Sequence, residues 1–143
     1  MNTTDFHPSR IVMLVDNCPI VNYVNKKTLL SYGFTTEVLT YRSGPKALQH
    51  LTQAADQNQI PEYIFVNLNM RIMDGNKFSE EYDKLPYFIK QKTKLVLLSS
   101  SINPEQIKEI AKNRNVFAHL STPLIKSNID ELLAIKKQFA FAA

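Results

Sequence analysis

The sequence predicts an α/β domain: a five-stranded parallel sheet with helices packed on both faces. Three observations carry that reading. Five short apolar runs recur along the 143 residues, each of strand length. Segments with helical periodicity separate them. Capping and breaking residues (Gly33, Ser43, Pro86, Asn103 and Ser127) stand at the junctions. Alternation of this kind builds right-handed βαβ units and buries the sheet between two helical layers. A 44% hydrophobic content and a 21% charged content fit one ordered core. The sequence therefore reads as one domain over residues 1–143, with its core over about residues 10–135.

Arg10 to Val15 is apolar and partly β-branched, as a strand buried on both faces requires. Val21, Val24, Thr28, Leu29 and Tyr32 then recur at helical spacing, and Gly33 sits where a helix C-cap glycine belongs. Thr36 to Thr40 reads as strand two. Ser43 caps the next helix, with Pro45 in its first turn and Ala47, Leu48, Leu51 and Ala55 facing inward. The polar stretch from Gln53 to Ile60 lengthens the connection to strand three, Tyr63 to Val66. Asp74-Gly75 opens a third helix through Phe78 and Tyr82 toward Leu85, where Pro86 closes or bends it. Strand four is Lys94 to Ser99. Asn103-Pro104-Glu105-Gln106 combines a capping residue, a first-turn proline and a glutamine able to complete a capping box. Ile107, Ile110 and Ala111 give this fourth helix its buried stripe. Val116 to Leu120 is strand five, and Ser127 caps a fifth helix with Ile129, Leu132 and Leu133 inward. The flavodoxin-like strand order 2-1-3-4-5 fits this sequence of elements, and it places a functional crevice beyond the C-terminal strand ends.

Composition narrows the function classes. The apolar runs are too short to span a bilayer, and the N-terminus lacks the basic and apolar regions of a secretory signal, which favours a cytoplasmic protein. Cys18 is the only cysteine, so no intramolecular disulfide forms. The net charge of +4 is spread out, with Lys90, Lys92 and Lys94 the densest set and no recognition motif beside them. A nucleic-acid partner is not expected.

Asp16, Asn17, Asn67, Ser99 and Thr122 occupy the strand ends that converge on the crevice. Three segments there, Val15-Asp16-Asn17, Met70 to Gly75 and Ser121-Thr122-Pro123-Leu124, carry a resemblance. With Asn67 they resemble the response regulator receiver domain, the CheY-like family, over about Arg10 to Leu133. That family's pattern is close to L-D-x-x-M-P-x-M-D-G, and its aspartate carries a phosphoryl group as an acyl phosphate. In this chain Asn67 stands in the acceptor's place, and a neutral carboxamide is a poor oxygen nucleophile.

The resemblance implies further departures. Two acids after strand one normally join the acceptor in holding magnesium, which offsets phosphoryl charge. Here Asp16 matches the first acid and Asn17 replaces the second. One carboxylate with two amides makes a weak magnesium site at most, and Asp16 reads first as a carboxylate bound by loop amides. Thr122 replaces the family's lysine. Losing that cation with its anions avoids a buried lysine short of partners, which would cost several kcal/mol, so the three changes are mutually consistent. Ser99 keeps the family's hydroxyl. His119 takes the place of a switch aromatic, where a half-buried histidine without function is the plainer reading. Arg71 stands where proline is usual. Asp74 and Gly75 read as a helix cap and a tight turn. Cys18 reads as an inert thiol rather than a nucleophile, and His7 and His50 lie far from His119, so no zinc cluster is expected.

These residues point to a stand-alone receiver-like domain of a two-component phosphorelay pathway, not an enzyme, with no required cofactor. It acts through protein contacts. The partner is a sensor kinase or another signalling protein, met on a face around Gln106, Ile110, His119 and Ile129, and a homodimer is compatible with the same face. Two alternatives stand beside this reading. One is a phosphorylatable receiver using a deamidated Asn67 or Asp16. The other is a flavodoxin-like enzyme or small-ligand module, although Asp16-Asn17-Cys18-Pro19 replaces a glycine-rich phosphate loop.

Overall fold

The computed structural model describes residues 11–54, 59–100 and 103–142, with side chains as far as residue 135. Five strands form one parallel sheet in the order β2-β1-β3-β4-β5. They are β1 (Val12–Val15), β2 (Val38–Tyr41), β3 (Tyr63–Asn67), β4 (Lys94–Ser99) and β5 (Val116–Ser121). The register aligns Val12 with Val38 and with Tyr63, and Tyr63 with Lys94. The β4–β5 pairing shifts register between Leu95 and Val96.

Side chains alternate across the sheet with the two-residue period of a strand. Met13, Val15, Ile64, Val66, Leu95 and Leu97 face one core, closed by Ala47, Leu51, Phe78, Tyr82, Ile89 and Ile110. Val12, Leu14, Tyr63, Phe65, Val96 and Leu98 face the other, closed by Leu29, Ile129 and Leu132. Full burial of a large apolar side chain contributes roughly 1.5–3 kcal/mol. Both layers therefore hold the strand ends in fixed relative positions.

Among the described residues six helices pack on this sheet, one more than the sequence predicts. They are α1 (Pro19–Ser31), α2 (Gly44–Gln53), α3 (Gly75–Asp83), α4 (Tyr87–Lys92), α5 (Pro104–Ala111) and α6 (Lys126–Ala142). The additional one is α4. Pro86 neither closes nor bends α3, which ends at Asp83; it is the N-cap of the short α4, whose Ile89 is buried. Proline suits that position because the first helical amides need no intrahelical acceptor.

Most predicted caps hold. Ser43 Oγ accepts from Lys46 N at 3.3 Å and Asn103 Oδ1 from Gln106 N at 2.8 Å. Gly33 has φ +68° and follows α1, where a Cβ would be strained. Four details differ. β2 begins two residues later than Thr36. The Gln106 side chain does not close a capping box but donates to Asn69 Oδ1 at 3.3 Å. Ile107 and Ala111 are exposed, so Ile110 alone anchors α5. Ser127 lies inside α6, and the side chain at its N-terminus that accepts a backbone bond is Asn128, from Ile125 N at 2.8 Å. Ala55 falls outside the described residues, as does part of the Gln53 to Ile60 connection and all of His7.

The largest difference is the face that α1 buries. Asn22, Asn25 and Leu29 point inward, whereas Val24 and Tyr32 are exposed. The reason is hydrogen bonding. Asn22 Nδ2 donates to Asp16 O at 3.0 Å and to Tyr41 O at 3.2 Å, satisfying carbonyls at the ends of β1 and β2. Asn25 Oδ1 accepts from Leu124 N at 2.8 Å, beyond the end of β5. Backbone groups at strand ends need partners once buried, and amides on α1 supply them.

Candidate functional site

Parallel strands end together, so β1, β3, β4 and β5 deliver Asp16, Asn67, Ser99 and Thr122 to one crevice. Asp16 is 4% exposed, and each of its carboxylate oxygens accepts a hydrogen bond. Oδ1 accepts from Cys18 N at 2.9 Å, and Oδ2 accepts from Asn67 Nδ2 at 2.9 Å. The first bond is the loop-amide contact expected for Asp16. The second joins two of the expected site residues directly.

Asn67 uses both ends of its amide. While Nδ2 donates to Asp16, Oδ1 accepts from Asn69 N at 2.8 Å and folds the following loop back on itself. Asn69 Oδ1 in turn accepts from Gln106 on α5, so a chain of hydrogen bonds runs from Asp16 to the first turn of α5. A carboxylate at residue 67 accepts but cannot donate. The geometry at that position is specific for an amide.

The loop beyond Asn67 is shaped by Asp74 and Gly75 as expected. Asp74 Oδ1 caps α3 by accepting from Lys77 N at 2.8 Å. Gly75 N donates to Leu68 O at 2.9 Å, and a Cβ on Gly75 would lie 2.8 Å from Leu68 Cα, so no larger residue fits. At the tip, Ile72 is almost fully exposed with φ 65°, an unfavourable conformation for a β-branched residue.

Ser99 and His119 form a second centre. Ser99 is fully buried, and its Oγ shares a 2.9 Å hydrogen bond with His119 Nε2 across neighbouring strands. His119 is half-buried, as the sequence suggests, and its ring holds the hydroxyl of Ser99. Burial pushes its pKa below the ordinary 6.5, favouring neutral imidazole.

Thr122 is half-buried. Its backbone N donates to Ser99 O at 3.1 Å, and its Oγ1 lies 3.5 Å from Asn25 Nδ2. It bonds α1 rather than Asn67. Asn17 is exposed and takes no part in these bonds. Sequence reasoning missed Asn22 and Asn25. The available signal was two asparagines three residues apart within a helix, where asparagine is a weak former.

Cys18 is half-buried at the N-cap of α1. His50 is held by Tyr41 OH at 2.8 Å and Gln59 O at 3.1 Å, away from His119. Among the described residues no group of three or more His, Cys, Asp or Glu is placed to hold a metal ion, and no helix is long and apolar enough to cross a membrane.

No family model matches the sequence, and no curated protein matches it either. Solved structures do match. The chain is 29% identical to a response regulator receiver protein from Dyadobacter fermentans DSM 18053, with a TM-score of 0.78 over 87% of this chain and 94% of that one. It is 23% identical to a two-component response regulator from Cytophaga hutchinsonii, with a TM-score of 0.80 over 92% and 97% of the two chains. A chain described as adenylate cyclase from Rhodopirellula baltica is 24% identical, with a TM-score of 0.70 over 93% and 91%. The architecture is that of response regulator receiver, or CheY-like, domains.

Proposed function

We propose that this receiver-like domain works in two-component signalling as a pseudo-receiver, through protein contacts and without accepting a phosphoryl group. The observation that carries the reading is the 2.9 Å bond from Asn67 Nδ2 to Asp16 Oδ2. An acceptor must present a carboxylate oxygen to phosphorus, and residue 67 presents an amide whose oxygen and nitrogen are both in use. Magnesium, which the fold family uses, does not suit this donor set. The crevice offers one carboxylate, both of whose oxygens already accept N–H bonds, whereas a hard dication favours several free anionic oxygens. No phosphoryl-transfer step is therefore assigned to this crevice.

The geometry also supports a lasting amide at residue 67. Deamidation requires the following backbone nitrogen to attack the side-chain carbonyl. That nitrogen, Leu68 N, donates to Leu98 O at 2.7 Å, and the carbonyl oxygen is held by Asn69 N. In this reading the domain is not an enzyme and needs no cofactor. Its partner is a sensor kinase or another signalling protein of the cytoplasm, and self-association remains compatible with it.

Intact mass after incubation with acetyl phosphate and magnesium tests the reading. The native chain is expected to keep its mass. The variant Asn17→Asp/Asn67→Asp/Thr122→Lys, which restores the family's ionic groups, is expected to gain one phosphoryl group. A phosphoryl adduct on the native chain would overturn the proposal.

A further inference from the structure

Asn22 leaves one polar atom unused. Its Nδ2 donates to the carbonyls of Asp16 and Tyr41, and because a carbonyl only accepts, those two bonds fix which way the amide points. The remaining atom is Oδ1, which is buried with no hydrogen-bond partner among the described residues. Asn22 as a whole is 4% exposed. A buried acceptor without a partner is unfavourable and uncommon, so a group that brought it a donor would bind with advantage. Asn22 lines a cleft of about 260 Å³ between α1 and β2, together with Pro19, Tyr23, Lys26, Thr40 and Arg42. Lys26 and Arg42 are exposed, and neither has an ion-pair partner among the described residues. Their side chains are free to move aside and to close on a ligand that enters.

Charge and hydrogen bonding together decide what fits there. Residues 17–31 and 38–46 contain Lys26, Lys27, Arg42 and Lys46 and no acidic residue. A fully ionised inorganic anion would use the cations but bring no donor to Asn22. An amine would bring donors but meet two positive charges. A molecule with an anionic oxygen at one end and a neutral O–H at the other uses both features. Lys26 stands one helical turn beyond Asn22, where such neighbours lie about 5–6 Å apart at Cβ. An aromatic ring with its two polar groups at opposite ends bridges that distance. Pro19 and Tyr23 give the ring an apolar wall, and the Arg42 guanidinium matches a carboxylate with two parallel N–H groups.

We infer that the cleft between α1 and β2 is a binding site for a small aromatic carboxylate that carries a neutral hydroxyl. The hydroxyl donates to Asn22 Oδ1, and the carboxylate pairs with Lys26 and Arg42. The inference goes beyond the pseudo-receiver reading and does not depend on it, since none of these residues belongs to the Asp16–Asn67 pair.

The test titrates the isotopically labelled chain with 4-hydroxybenzoate and follows its amide resonances. Saturable shifts are expected in residues 19–26 and 38–42 and in the side-chain amide of Asn22, at the millimolar concentrations that suit so small a ligand. The donor is removed on the ligand, because Asn22 also holds two backbone carbonyls and its replacement would disturb the fold. Thus 4-methoxybenzoate, which keeps the ring and the charge, should bind about tenfold more weakly. The uncharged 4-hydroxybenzamide should weaken by a similar factor, and Lys26→Ala/Arg42→Ala should bring 4-hydroxybenzoate down to the level of the amide. Both substituted positions are on the surface, and an unchanged melting temperature verifies that the variant folds. Equal binding of the hydroxy and methoxy compounds would overturn the inference, as would equal binding of acid and amide. Shifts centred outside the cleft, or none that saturate, would do the same.

Discussion

Asn67 is held by what an amide can do and a carboxylate cannot. Its nitrogen donates to Asp16 while its oxygen accepts from the loop. Asn67→Asp removes that donor and places a second carboxylate against a buried first one. The expected loss is about 1–3 kcal/mol at neutral pH, from the missing bond and like-charge repulsion. Acidification should relieve it, because a proton shared by the pair raises the folded-state pKa and stabilises the fold as pH falls. Urea unfolding at neutral and mildly acidic pH measures both effects. Tyr63 is the opposite case. Its hydroxyl is buried without a hydrogen-bond partner, and burial pushes its pKa up to about 12. The ring packs against Phe34 and Phe65. Tyr63→Phe keeps the ring and deletes the unsatisfied oxygen, so stability should be unchanged or rise by up to about 1 kcal/mol. A loss beyond 1 kcal/mol in thermal or chemical unfolding would show that the hydroxyl has a partner. At this scale the sequence disclosed which groups occupy the crevice but not how they pair. The Asp16–Asn67 bond and the Ser99–His119 bond join residues 51 and 20 positions apart.

At the scale of elements, α1 and α5 show where apolar periodicity misleads. Helical spacing identified both helices. In α1 the buried stripe is set by what the neighbouring elements require. The strand ends and the loop after β5 present backbone groups that Asn22 and Asn25 satisfy, and that demand turns Ile20, Tyr23 and Val24 outward while Leu29 stays in the core. In α5 Ile107 is exposed and Ile110 is the buried apolar residue. The strands were legible to within two residues because a buried parallel strand needs nothing beyond a short apolar run. Asn25→Ala should therefore cost about 1–3 kcal/mol by leaving the Leu124 amide unpaired, while Val24→Ala should stay within about 0.5 kcal/mol. A reversed order in chemical unfolding would contradict this placement of α1. The β4–β5 pair makes a pH prediction. His119 has a folded-state pKa below 6.5 because burial penalises its charged form. The unfolded chain then binds the proton more readily, so this group's contribution is complete above 6.5 and is lost as pH falls toward the folded value. His119→Gln should flatten the fall in unfolding free energy as pH drops below 6.5. An unchanged slope would exclude His119 as its source.

For the whole molecule, ligand linkage separates a pseudo-receiver from a receiver. A ligand that binds only the folded state stabilises it by RT ln(1 + [L]/Kd). In the native chain each oxygen of the crevice's carboxylate, Asp16, already accepts one N–H bond, from Cys18 N and from Asn67 Nδ2. Magnesium would compete with those bonds for its lone pairs, and Asn17 and Asn67 offer it no second anion. Adding roughly 10 mM magnesium should therefore leave the melting temperature unchanged beyond the small effect of ionic strength, which a matched sodium chloride control removes. The variant Asn17→Asp/Asn67→Asp/Thr122→Lys makes the opposite prediction. Without metal, three acids with one lysine repel one another and lower stability relative to the native chain. With metal, a dissociation constant near 1 mM would give about 1.4 kcal/mol of stabilisation at 10 mM. The two chains should thus respond to magnesium in different ways although their helices, strands and cores are the same. Equal magnesium stabilisation of both would mean that the native crevice binds the ion without the missing carboxylates, and the amide at residue 67 would no longer account for the behaviour of the domain.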